Sequence, residues 1–217
     1  MENDCGALFL FDKSYTGNII IGTDEAGRGP GAGPVFAAAV HFPDMSAKII
    51  SQLTDLNDSK QLSHKKREEL YDIIKQNTLW AIHSATVEEI EKYNILQASL
   101  RTMRQACNDV ILQINKKNIK VLVDGNKLIP QFNIEQEKLI KGDSRSASVA
   151  AASILAKVER DRFMQTLHIR FPQYHWDKNK GYLTKEHVDA IEKHGITPHH
   201  RKKFLRKLTE RKQLSLF

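Results

Sequence analysis

Four acidic side chains carry the most chemistry in this sequence. Asp24 and Glu25 stand side by side in "IIIGTDEAGRGPGAGP", Asp124 ends the run "IKVLVD", and Asp143 closes "KLIKGD". Each sits where a stretch rich in β-branched or aliphatic residues stops, and side chains remote in sequence converge at the strand ends of an α/β sheet. Oxygen donors without a Cys or His cluster suit a hard divalent ion, Mg²⁺ or Mn²⁺, better than zinc. Two such ions about 3.5 to 4 Å apart activate a water and stabilise the leaving oxygen of a phosphodiester.

Taken singly, each acid has a plainer role. Asp143 with Ser144 would cap a following helix, and Asp124-Gly125 would make an ordinary turn. Asp24 and Glu25 together are harder to explain that way, because adjacent acids at a buried strand end repel unless a cation neutralises them. Neighbours on a strand point to opposite faces, so the two share an ion only if the strand distorts, and Ala26-Gly27 supplies the freedom. The glycines that follow let backbone N–H groups approach a ligand with no side chain in the way.

The elements that must position these acids are legible in the periodicity. "NIIIGTD" (18–24) and "PVFAAAVHF" (34–42) read as a hairpin-like pair of strands, with further strands at 79–86 and 119–124 and a shorter one ending at Asp143. Ser63 stands at the N-cap of "HKKREELYDIIKQ". From residue 94, Leu96, Leu100, Met103, Cys107, Val110, Ile111 and Ile114 step by three and four, the stripe of a long helix lying on the sheet. The alanine-rich "SVAAASILAKVERDRFMQTL" is a second helix, whose small residues permit close approach. After Pro172 a polar, aromatic loop, "QYHWDKNKGYLT", leads to a short helix ending near Gly195 and then to a basic helix. Strands alternating with helices predict an α/β catalytic domain over residues 1–170, a helical extension over 171–212 and a terminal peptide at 213–217.

Bulk properties agree. The chain has 217 residues, 41% hydrophobic and 27% charged, a globular balance with no apolar run long enough to cross a bilayer. "ALFLF" near the N-terminus lacks the basic flank and cleavage site of an export signal, and with only Cys5 and Cys107 the chain fits a reducing cytoplasm. The net charge of +7 is concentrated in residues 195–217, where seven Lys or Arg oppose one acid, Glu210. That distribution suggests a polyanion partner such as nucleic acid, or else a solvated helix face.

The segments "DEAGRGPGAGPV", "NDSKQLS", "NILQASLRTM", "VDGN", "KGDSRSASVAAASILAKVERD" and "GYLT", in this order, resemble bacterial ribonuclease HII, the type 2 ribonuclease H. The resemblance runs from about residue 18 to about residue 204. It implies a ribonuclease H-like mixed sheet flanked by helices, with a small helical C-terminal extension. The activity implied is cleavage of the RNA strand of RNA-DNA hybrids, and nicking on the 5′ side of a single ribonucleotide in duplex DNA, leaving 3′-hydroxyl and 5′-phosphate ends. By motif, Asp24, Glu25, Asp124 and Asp143 are the catalytic ligands of two Mg²⁺ or Mn²⁺ ions. Gly27, Arg28 and Gly29 contact the ribonucleotide at the junction, Tyr182 stacks on the sugar of the next deoxynucleotide, and Lys60 contacts a phosphate. The 2′-hydroxyl tells RNA from DNA, and a rigid set of backbone groups can test for it.

Three positions depart from the pattern: Gly31 replaces a leucine after "GRGP", Leu183 replaces a small residue after the tyrosine, and Lys203 replaces a serine. The nine histidines form no catalytic pair, and His199-His200 reads as a surface or phosphate-contacting feature. At the tail, Gln213, Leu214, Leu216 and Phe217 resemble the pentapeptide that docks on the bacterial β sliding clamp. An exposed Leu-x-Leu-Phe end favours a partner, since each such side chain gains about 1.5 to 3 kcal/mol on full burial; folding back on its own domain is the alternative. The sister family, ribonuclease HIII, is disfavoured by the arginine of "GRG" and the lack of an added N-terminal domain. A non-catalytic hybrid-binding scaffold tethered to the clamp is the rival from another class. Nothing in the sequence demands more than a monomer.

Overall fold

A computed structural model describes residues 5–57, 59, 62–114 and 117–206. Its centre is one five-stranded sheet built from β1 (Ile19–Ala26), β2 (Val35–His41), β3 (Leu79–Ala85), β4 (Ile119–Asp124) and β5 (Glu135–Leu139), in the order β3-β2-β1-β4-β5. The first three are antiparallel, as the hairpin reading requires, while β4 runs parallel to both β1 and β5. The sheet is therefore mixed, and β1 and β4 are interior strands that end side by side.

Helices cover both faces. On one lies α5 (Ile95–Gln113), whose predicted stripe is seated as expected: Leu100, Met103, Cys107 and Val110 are buried against Ile21, Ala37, Val121 and Val123. On the other lies α6 (Ala147–Arg170) with α1 (Cys5–Lys13), α2 (Ala47–Gln52) and α3 (His64–Asn77) around a second core. The alanine run explains how close α6 comes. Ala147, Ala150, Ala151 and Ala152 are fully buried, and a Cβ on Gly22 of β1 would stand 2.2 Å from the backbone carbon of Ser148. Only glycine lets the first turn of the helix lie on that strand.

Caps follow local sequence. Ser63 accepts from the Lys66 amide at the start of α3, and Thr86 with Glu89 forms a reciprocal capping box on α4 (Val87–Tyr93). Three short helices escaped the periodicity reading. The apolar "ALFLF" at 7–11, which lacks the flanks of an export signal, lies within α1, with Phe9 packed edge-on at 5.0 Å from Phe42. α2 and α4, of six and seven residues, are too short for a periodic stripe. The stretch after Pro172 is not a plain loop, for it holds a 3-10 turn at Pro172–Tyr174 and α7 (Trp176–Asn179) before α8 (Lys185–His194). Residues 202–206 are helical.

Candidate active site

The carboxylates meet because two parallel strands stop together. β1 and β4 pair as far as Thr23 with Val123, so Asp24 and Asp124 are the next step of each strand. Asp143 arrives from the far side of β4. β5 ends at Leu139, and Lys141, in a left-handed conformation at φ 55°, turns the chain into a 3-10 turn at Gly142–Ser144. The Gly142 amide donates to Asp124 Oδ1 at 2.7 Å, which fixes Asp143 beside that strand end. Asp143 therefore lies on a turn rather than on the strand predicted for it. Nor does it cap α6, since that role belongs to Ser146, which accepts from the Val149 amide.

Asp24 is 5% and Asp143 6% exposed. Burial holds the Asp24 carboxyl well above the usual carboxylate range, and the charges of Glu25, Asp124 and Asp143 push it further the same way. Asp24 thus feels the charge of all three other acids. The predicted distortion of β1 is absent, because its ladder with β2 continues regularly through Asp24, Glu25 and Ala26. Gly22 faces the α6 backbone and Thr23 bonds the Cys107 thiol of α5, so alternation turns Asp24 toward α6 and Glu25 toward α5. The two acids reach the same hollow from opposite sides of the strand end.

The donor set suits a hard divalent ion: carboxylate oxygens alone, with one carboxyl strained by the charge of the others. They are not drawn into a closed cage. Among the described residues no three His, Cys, Asp or Glu side chains are gathered tightly enough to hold an ion as they stand. Each is engaged with neighbours, Asp24 Oδ1 by the Glu25 amide at 2.6 Å and Glu25 Oε1 by Arg28 Nη1 at 3.1 Å. Ligation would require these side chains to rotate within the hollow.

That hollow is a cleft of about 360 Å³, lined by Asp24, Glu25, Arg28, Asp124, Lys157 and Tyr182; Asp143 is not among its lining residues but is near enough to act on Asp24. The Gly-rich segment forms one wall. Gly27 sits at φ +103°, and the loop it begins is stapled from behind by two buried arginines. Arg201 donates to the carbonyls of Gly27 at 2.7 Å, Arg28 at 3.1 Å and Gly33 at 2.9 Å. Arg160 of α6 donates to Ala32 at 3.1 Å, Pro34 at 3.0 Å and Lys180 at 3.0 Å. Burial lowers both guanidinium values, to about 10 for Arg160 and about 9 for Arg201, so both stay charged at neutral pH.

Tyr182 packs beside this wall, half exposed, its Cε1 3.5 Å from where a Cβ on Gly29 would be. Beside it is a buried aromatic knot. His187 is tied to the Tyr182 carbonyl through Nδ1 at 2.9 Å, and its Nε2 lies 3.0 Å from Trp176 Nε1 and 3.2 Å from His200 Nε2. The Thr197 amide donates to His200 Nδ1 at 2.9 Å. These bonds require both imidazoles to be neutral, with the proton on Nδ1 of His187 and on Nε2 of His200. Burial agrees, lowering His187 and taking His200 down to about 4.

His200 is not a surface or phosphate-contacting group but is 1% exposed, and His199 packs against Phe171 and Trp176. Arg201, counted in the basic tail, is fully buried and spent on carbonyls, whereas Lys202, Lys203 and Arg206 are exposed. Lys60 and the tail residues Gln213, Leu214, Leu216 and Phe217 lie outside the described residues. Lys157, Arg160, and the Ser59–Ser153 hydroxyl pair at 2.7 Å were not singled out from the sequence. The signal for them was a charged residue inside an otherwise small and apolar helix. A larger hollow of about 580 Å³ lies at the start of β1, away from the four acids. Its one acid, Asp12, is bound through Oδ2 to Ser148.

Comparison with known proteins agrees with this architecture. The family profile described as Ribonuclease HII matches residues 21–208. The chain is 50% identical over 204 residues to ribonuclease HII of Fusobacterium nucleatum, covering 94% of this chain and 92% of that one. It is 49% identical over 198 residues to that of Rickettsia akari, covering 91% and 96%. Among solved structures, ribonuclease H2 from Pyrococcus horikoshii superposes with TM-score 0.69 at 25% identity over 88% of this chain and 97% of that one. Ribonuclease HII of Archaeoglobus fulgidus, solved as a complex with PCNA, gives TM-score 0.67 at 25% identity, covering 84% and 93%. A ribonuclease HIII solved in complex with Mn²⁺ shares the fold, with TM-score 0.66 at 19% identity, covering 93% and 71%. With the family profile spanning most of its length, and with close relatives over nearly all of it, this chain belongs to the ribonuclease HII family of metal-dependent ribonucleases that act on RNA-DNA hybrids.

Proposed function

We propose that the protein nicks duplex DNA on the 5′ side of a single embedded ribonucleotide, besides cutting the RNA strand of longer hybrids, and leaves 3′-hydroxyl and 5′-phosphate ends. The observation that carries this reading is the buried Asp24 carboxyl, pressed by three other acids in a cleft that the Gly27–Gly29 backbone and Tyr182 also line. Asp24, Glu25, Asp124 and Asp143 would hold two Mg²⁺ or Mn²⁺ ions, which when bound supply an activated water and stabilise the leaving oxygen. The remaining work belongs to the chain. Arg201 occupies the Gly27 and Arg28 carbonyls, so the amides of Gly27 and Gly29 and the Arg28 guanidinium are what the loop offers a substrate. Backbone held from behind in this way discriminates a 2′-hydroxyl with little reorganisation. Tyr182 presents its ring to the next sugar and Lys60 contacts a phosphate, while Lys157, its ammonium bonded to Asp161 at 2.7 Å, lines the same cleft.

A scaffold that binds hybrids without cutting would have no use for a carboxyl kept at such electrostatic cost. The test is a duplex with one ribonucleotide incubated with Mg²⁺ or Mn²⁺. The unmutated protein should nick it once, and Asp124→Asn should lose at least about 10³-fold in rate, as expected when a charge-stabilising group is removed. Binding without a nick by the unmutated protein would leave only the scaffold. The tail, Gln213 to Phe217, we assign to a clamp partner in the cytoplasm, a reading supported by its apolar end and by the PCNA complex of the Archaeoglobus fulgidus relative.

A further inference from the structure

Gly31 and Leu183, the two departures flanking the substrate-reading elements, face each other. A Cβ placed on Gly31 would stand 2.6 Å from Leu183 Cδ2, 2.9 Å from Cγ and 3.2 Å from Cδ1, so the leucine fills the volume a side chain at 31 would take. The backbones are locked at the same point. The Gly31 amide donates to the Gly181 carbonyl at 2.9 Å, the Gly31 carbonyl accepts from the Arg201 amide at 2.8 Å, and a Cβ on Gly181 would meet Ala32 O at 2.5 Å. Leu183 is 37% exposed, and its neighbour Tyr182, which lines the cleft, is 49% exposed.

We propose that Leu183 is a positioning residue: interlocked with Gly31, it sets the gap between the Gly27–Gly29 backbone and the Tyr182 ring, and so how tightly a ribonucleotide junction is gripped. This rests on the function proposed above. Gly31 has no left-handed backbone conformation, so a side chain there is opposed by Leu183 and not by its own φ. A larger residue at 31 must expel Leu183, and Leu183 carries its neighbour Tyr182 with it. Loss of Leu183 alone leaves a half-exposed hole that the turn closes in part.

The interlock predicts a reciprocal rescue. In single-turnover and steady-state assays on a one-ribonucleotide duplex, Gly31→Leu should raise KM about tenfold with kcat held within about threefold, a change of about 1.4 kcal/mol in substrate grip. Leu183→Ala should raise KM about threefold, and the double variant Gly31→Leu/Leu183→Ala should return to within about threefold of the unmutated protein. Gly31→Ala, a milder intrusion, gives the same sign should Gly31→Leu fold poorly, and the thermal midpoint of each variant is measured alongside. Additive KM effects in the double variant, or thermal midpoints that fall while KM stays fixed, would overturn the interlock while leaving the nuclease reading intact. No cleavage by the unmutated protein would sink both.

Discussion

Asp24 accounts for its own chemistry through where it sits. Its carboxyl is buried, its ionisation is opposed first by burial and then by the three neighbouring acids, and its raised value means that charging it costs folded stability at every pH above the ordinary carboxylate range. The folded state binds that proton more tightly than the unfolded chain, so the cost grows as pH rises through the window between the two values. At neutral pH, with divalent ions chelated, Asp24→Asn should raise the thermal midpoint. Relief of this kind commonly brings about 0.5–2 kcal/mol, roughly 2–4 °C per kcal/mol at this chain length. Adding Mn²⁺ should then stabilise the unmutated protein and not the variant. A midpoint that falls on Asp24→Asn in chelator, read by scanning calorimetry, would mean the carboxyl is a structural acceptor instead.

At the scale of elements, the loop after β1 is held by groups that are far from it in sequence. Arg160 lies 126 positions from Pro34 and Arg201 lies 174 from Gly27, yet Arg201 spends its guanidinium on three carbonyls of this loop and Arg160 on two of them and that of Lys180. A planar fork reaches three acceptors at once, which a lysine ammonium on a flexible stem does not reproduce. Arg201→Lys should therefore destabilise the protein by about 2–3 kcal/mol through unsatisfied buried carbonyls, and raise KM more than it lowers kcat. Urea unfolding with steady-state kinetics separates the two effects. A variant as stable as the parent would show that water replaces the guanidinium freely. The histidines behind Tyr182 belong to the same support, which is why buried neutral His187 and His200 are neither catalytic nor exposed.

Over the whole molecule, charge divides the chain into a near-neutral body and a basic end, and the structure moderates that division by burying Arg201 while leaving Lys202, Lys203 and Arg206 outward. Lys203 also bonds Glu91 of α4, through its amide to the carboxylate and through its ammonium to the backbone carbonyl, so the end of the described chain is anchored to the body. No helix among the described residues is long and apolar enough to cross a membrane. A tail with a docking role should be separable from the catalytic body. Removing residues 213–217 should abolish capture by an immobilised bacterial β clamp and leave hydrolysis of a free duplex within about twofold. Loss of thermal stability on the same deletion would instead place the tail on its own domain.

Periodicity and residue type sufficed for four strands, the α5 stripe, the alanine helix and the position of Asp24 and Asp124 at the ends of β1 and β4, because these depend on alternation and spacing that short stretches carry by themselves. They did not suffice for α1, α2 or α4, whose helicity rests on burial and capping in under three turns, or for the turn that carries Asp143. Residue types likewise marked the Gly-rich loop as exposed backbone, and Gly27 and Gly29 line the cleft. Only the tertiary structure decided that Arg160, Arg201 and the Trp176–His187–His200 knot hold that wall and Tyr182 in place, and that Leu183 answers Gly31. Those pairings join residues more than a hundred positions apart, or rings whose burial reverses their ordinary preference for water, and no local pattern records either.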